Sequence, residues 1–103
     1  MEKYGLPEET IARITAVLAQ FPSIERAILF GSRAKGTAKP GSDIDLALCG
    51  PALTEREIVS LAARLDALDL PYTFDLCHFE KLANPQLIAH IERVGKEFYR
   101  RNP

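Results

Sequence analysis

The apolar run Ala27-Ile28-Leu29-Phe30 passes directly into Gly31-Ser32, and after ten further residues the chain reads Asp43-Ile44-Asp45-Leu46. No other stretch restricts the fold as much. Four apolar residues stopped by a glycine have the length and composition of a buried strand. A second strand is expected over residues 43–48, where a period of two turns Asp43 and Asp45 to one side and Ile44 and Leu46 to the other. Gly31-Ser32 then falls at the C-terminal end of the first strand. Glycine there allows close backbone approach, and the residues after it can begin a helical turn whose free N–H groups face an anion.

The remaining segments supply a frame for these two strands. Pro7 followed by Glu8 and Glu9 has the character of a helix first turn, and Ile11, Ile14, Leu18 and Phe21 draw one apolar stripe, so a helix is expected over residues 7–20. The loop Thr37-Ala38-Lys39-Pro40-Gly41-Ser42 leads into the acid-bearing strand. Thr54-Glu55-Arg56-Glu57 is a capping box that opens a second long helix, with Ile58, Leu61, Ala62, Leu65 and Leu68 on one side and Pro71 as its stop. A third strand, Tyr72 to Cys77, carries Asp75 between Phe74 and Leu76. Asn84-Pro85 then caps a last helix whose stripe, Leu87, Ile91, Val94 and Phe98, predicts an end near Arg100-Arg101. Helices alternating with strands imply a two-layer α/β or α+β architecture around a small mixed sheet.

Composition narrows the function classes. At 103 residues the chain has room for one ordinary core, and 47% hydrophobic with 26% charged residues excludes a disordered or fibrous reading. A net charge of −1 without a basic block argues against binding long nucleic acid. No apolar run approaches the roughly 18 residues of a membrane span, and no secretory signal pattern opens the chain, so a cytoplasmic protein without membrane contact is expected. Cys49 and Cys77 match no zinc spacing and read as small core residues. His78 and His90 stand apart from any metal-ligand pattern and are assigned no chemistry, and Tyr4, Tyr72 and Tyr99 read as packing or surface residues.

Acids alternating with aliphatics also describe an ordinary half-exposed strand, so Asp43 and Asp45 alone decide little. The Gly-Ser turn ahead of them and Asp75 on a third strand change the balance. Three carboxylates at adjoining strand positions repel one another unless a cation offsets them, and Mg²⁺ suits hard oxygen ligands while keeping waters and phosphate oxygens in its shell. Arg33 and Lys35 are close enough in sequence to reach phosphate oxygens, or else are solvated cations. Neither a dinucleotide fingerprint nor a P-loop is present.

Gly31-Ser32, ten residues, Asp43-x-Asp45 and the later Asp75 together resemble the nucleotidyltransferase superfamily that includes DNA polymerase β and the aminoglycoside nucleotidyltransferases. The chain is similar to its smallest branch, the minimal nucleotidyltransferases. Asn84-Pro85-x-Leu87 with His90-Ile91-x-x-x-Gly95 also looks like that branch, so the resemblance covers nearly the whole chain. It implies the polymerase β-type fold over residues 1–103 as a single domain, with helices packed on one side of a small mixed sheet. Carried onto these positions, it implies that Gly31, Ser32 and Arg33 bind the triphosphate of ATP. Asp43, Asp45 and Asp75 would be catalytic and hold two Mg²⁺ ions, with Asp75 as the base. Proteins of this branch are antitoxins of HEPN-domain ribonuclease toxins, and some adenylylate a tyrosine of the toxin. AMP transfer from ATP to such a partner is therefore the implied function, with non-catalytic masking of the toxin or transfer to a small molecule as the alternatives.

Overall fold

The structure is a computed structural model and describes residues 2–39 and 41–102. Pro40, in the expected loop, lies outside the described residues. Four strands form the main sheet: β3 (Arg26–Phe30), β4 (Ile44–Cys49), β5 (Phe74–His78) and β6 (Lys96–Arg100), in the order β5-β4-β3-β6. β3 pairs antiparallel with both β4 and β6, whereas β4 and β5 run parallel, joined through helix α3 (Glu55–Asp66). A short hairpin, β1 (Glu2–Lys3) and β2 (Leu6–Pro7), precedes helix α1 (Glu8–Leu18).

Alternation along the strands sorts two cores. Ala27, Leu29, Ile44, Leu46 and Leu48 lose all solvent contact on one face, where they meet Ile14 and Leu18 of α1 and Leu61 and Leu65 of α3. The Thr54 capping box starts α3 as expected: the Thr54 hydroxyl accepts from the Glu57 amide, and the Glu57 carboxylate accepts from the Thr54 amide at 3.0 Å. The opposite face carries a smaller cluster, Phe30 and Ala47, closed by Ile91 of helix α4 (Pro85–Val94). The two long helices thus lie on one side, but α4 lies on the other, beside the acids, which corrects the expectation of helices on one side only. Among the described residues no helix is long and apolar enough to cross a membrane.

The expected C-terminal helix is corrected: it ends at Val94, and Lys96–Arg100 is the edge strand β6. Phe98, placed on the helical stripe by its spacing from Val94, instead enters the main core from β6. The physical reason is Gly95, where a Cβ would overlap the Ile91 carbonyl oxygen and the Ile28 Cγ2 methyl. Its amide returns to the Ile91 carbonyl at 2.8 Å as the chain turns into the sheet.

The hairpin ahead of α1 was not foreseen. Its two turn residues, Tyr4 (φ 60°) and Gly5 (φ 73°), both take the left-handed conformation that suits a tight two-residue hairpin loop. The Tyr4 ring rests against Phe98, with centroids 6.2 Å apart.

Candidate active site

Phe30 ends β3, and helix α2 (Gly31–Lys35) begins at once, closing on Gly36 in the left-handed conformation. The helical turn expected after the first strand is therefore present, with Ser32 half-buried within it. Gly31 has φ 74°, and a Cβ built there would overlap Asp45 Oδ2 and stand 3.1 Å from Asp45 Cγ. Only a residue without a side chain fits against this carboxylate.

Register explains how the acids meet. Asp45 pairs with Phe30 across the antiparallel β3–β4 ladder and with Asp75 across the parallel β4–β5 ladder. The two carboxylates thus stand side by side on the face that α4 only partly covers. Asp43 is exposed one residue ahead of β4, and Asp75 is exposed on edge strand β5. Burial, followed by the nearby charges of Asp75 and Asp43, pushes the Asp45 carboxyl above its ordinary range, while His90 and Arg33 pull the other way. Two carboxylates are therefore close enough to Asp45 to resist its ionisation.

Among the described residues no group of three or more His, Cys, Asp or Glu side chains gathers tightly enough to hold a metal by itself. The donor set still fits Mg²⁺. This ion is commonly bound by one or two carboxylates together with substrate phosphates and water, not by an all-protein cage. The Asp45 carboxyl is raised first by burial and then by Asp75 and Asp43, the two repulsions a cation at this face would offset.

Arg33 is not the solvated cation that one of its two readings describes. It is only 4% exposed, the single buried charged residue among those described. Its Nε and Nη2 donate to the Ser42 carbonyl at 3.3 and 2.8 Å, and Nη1 donates to the Tyr4 and Gly5 carbonyls at 3.0 and 3.4 Å. The Tyr72 ring lies beneath the guanidinium at 5.0 Å. Arg33 thereby ties α2 to the hairpin turn, to the residue just before Asp43, and to the segment leading into β5. Lys35 is exposed.

His90 was assigned no chemistry, yet α4 brings it to the site. Its Nε2 accepts the Gly31 amide at 3.3 Å, and its ring meets Phe30 edge-on at 6.2 Å. A signal was available in the sequence: His90 adjoins the Leu87–Ile91 stripe of an amphipathic helix, where a titratable ring on the inward side calls for a partner. His78, by contrast, lies 2.9 Å from the Gly50 carbonyl, while Glu80 accepts from the Gly50 amide, a clamp on the far end of β4. Cys49 and Cys77 are free thiols, as their core reading implied; burial pushes both up, Cys77 to about 11.

Comparison with known proteins agrees with this geometry. The family model described as "Polymerase beta, Nucleotidyltransferase" matches residues 12–103. A comparison with curated proteins finds no match. Among solved structures, a toxin–antitoxin with AMP-PNP is 29% identical, with a TM-score of 0.71 over 88% of this chain and 73% of that one. A tri-AMPylated Shewanella oneidensis HEPN toxin in complex with MNT antitoxin gives 25% identity and a TM-score of 0.67 over 91% and 72% of the two chains. The toxin–antitoxin MntA-HepT, at 24% identity and a TM-score of 0.67 over 92% and 74%, repeats the fold. With its Gly-Ser turn held against Asp45 and its family match spanning nearly all of the sequence, the chain belongs to the polymerase β-type nucleotidyltransferase family.

Proposed function

We propose that this protein is a Mg²⁺-dependent adenylyltransferase that moves AMP from ATP to a tyrosine hydroxyl of a partner HEPN-domain toxin, acting as its antitoxin. The observation that carries the reading is the side-by-side placement of Asp45 and Asp75, with Gly31 against Asp45 and the Asp43 charge nearby. The similarity to a complex holding AMP-PNP and to one holding an AMPylated HEPN toxin supports the choice of nucleotide and partner.

In this reading Gly31 and Ser32 take the triphosphate, and Asp43, Asp45 and Asp75 hold Mg²⁺. Bound there, the metal would supply charge stabilisation to the triphosphate as pyrophosphate departs. The residues of the chain do the rest. Gly31, lacking a side chain, lets the phosphates approach Asp45 closely. Asp75, exposed on an edge strand, receives the proton of an acceptor hydroxyl arriving from solvent. The acceptor oxygen bonds to the α-phosphorus as the bond to the β-phosphate oxygen breaks. Arg33 keeps the backbone before Asp43 in place and is a positioning residue, not a phosphate ligand.

The test incubates the protein with α-labelled ATP, Mg²⁺ and the product of the adjacent gene, alongside the Asp43→Ala/Asp45→Ala variant. Label on the partner that is absent with the variant is the expected result. Tight association without label under any divalent metal would replace the reading with masking, and label on a small hydroxyl compound alone would replace the acceptor.

A further inference from the structure

The Gly31 amide is the first backbone donor after β3, and it does not face solvent or a neighbouring carbonyl. It donates to His90 Nε2 at 3.3 Å, across 59 residues of sequence. A ring nitrogen that accepts carries no proton, so in this contact the imidazole hydrogen sits on Nδ1. The ring cannot swing freely: Phe30 meets it edge-on, and the next residue, Ile91, is buried against Phe30 and Ala47. On its other side Gly31 lies against the Asp45 carboxylate, so closely that no Cβ fits between them. His90, Gly31 and Asp45 therefore form one stack, with α4 above, the glycine turn between and β4 below.

We propose that His90 is a positioning residue that holds the Gly31-Ser32 turn down on Asp45, so that α4, outside the Gly-Ser and Asp-x-Asp pattern, sets the geometry of nucleotide binding. The proposal rests on the nucleotidyltransferase reading above for its consequence, but not for the contact itself. A side chain that pins a peptide through one hydrogen bond contributes roughly a three- to tenfold effect on whatever that peptide positions. It acts as an acceptor, so an amide oxygen at the same reach replaces it, and an isosteric hydrocarbon does not.

The experiment compares the wild type with His90→Gln and His90→Leu by two measurements. One is hydrogen exchange and the ¹H–¹⁵N shift of the Gly31 amide, recorded without nucleotide; the other is affinity for AMP-PNP with Mg²⁺. His90→Leu is expected to lose Gly31 amide protection and to bind AMP-PNP roughly three- to tenfold more weakly, and His90→Gln to recover both. Leucine as good as histidine in both measurements would reduce His90 to packing and overturn the proposal. Glutamine as poor as leucine would overturn the acceptor role. A protected Gly31 amide in a wild type that does not bind AMP-PNP would leave the His90 contact standing and sink the nucleotide reading instead. Thermal unfolding of both variants checks that the fold is retained.

Discussion

Replacing Gly31 by alanine should separate stability from activity, because the one added methyl acts on two different things. The backbone stays at φ 74°, where a side chain costs about 1–2 kcal/mol. For a domain of this length that is a fall in Tm of roughly 5–15 °C. The methyl also overlaps Asp45 Oδ2 and sits 3.1 Å from Cγ, against an optimum carbon–carbon separation of about 3.5–4.0 Å, so the carboxylate must shift by on the order of 1 Å. A displacement of that size at a reacting centre costs about 10²-fold in rate. Gly31→Ala should thus keep its fold and lose nearly all transfer from labelled ATP. A double-mutant cycle with Asp45→Ala isolates the steric part, since the backbone strain is common to both backgrounds; a coupling of about 1 kcal/mol in urea unfolding is expected. Additivity within about 0.5 kcal/mol, or wild-type transfer by Gly31→Ala, would refute the contact between turn and acid on which the site is built.

Arg33→Met should destabilise the protein by roughly 2–4 kcal/mol in urea unfolding, because three carbonyl groups lose donors in a nearly buried place; Arg33→Lys should recover only part, having one point of charge where the fork spans both the Ser42 and hairpin carbonyls. Asp45→Asn should behave oppositely. A carboxyl whose folded value lies above the ordinary 3.8 binds its proton more tightly in the folded state, so wild-type stability falls as pH rises from 3.8 through that raised value. Thermal unfolding in EDTA should therefore find Asp45→Asn more stable than wild type near neutrality, with the difference vanishing below the ordinary carboxylate value, and its AMP transfer abolished.

What the sequence discloses about this fold is decided by how local each signal is. β3, β4 and β5 are legible to within a residue or two, because alternation such as Asp43-Ile44-Asp45-Leu46 is a property of adjacent residues. The α3 start is equally legible, since a capping box closes within four residues. β6 is hidden because Phe98 continues the stripe of α4 at helical spacing, and the packing that requires a glycine at Gly95 involves Ile28, far away on β3. The Tyr4-Gly5 turn is likewise held from afar, through both of its carbonyls by Arg33. The three acids and Gly31 stand out by pattern, but the contact between Gly31 and Asp45 does not. The contacts of Arg33 and His90 are illegible for one reason: each finds its partners through segments distant in sequence, and a lone cation or imidazole carries no mark of them.

Asp45 is the point where these separate pieces converge. It stands on a central strand with Gly31 above it, Asp75 beside it and Asp43 just before its strand, and burial together with those two charges pushes its carboxyl up. Asp43 and Asp75 are exposed; Asp45 is partly withdrawn from water, and its charge is therefore the costly one. A cation brought to this face removes that cost, and a ligand that binds only the folded state stabilises it in proportion to the logarithm of its concentration. In the proposed reading, stability and nucleotide chemistry are thus linked through one side chain: the arrangement that makes the Asp45 charge costly is the one that a metal–triphosphate would relieve. The parallel register of β4 and β5 sets how strong that tendency is, by placing Asp75 beside Asp45 instead of two residues away.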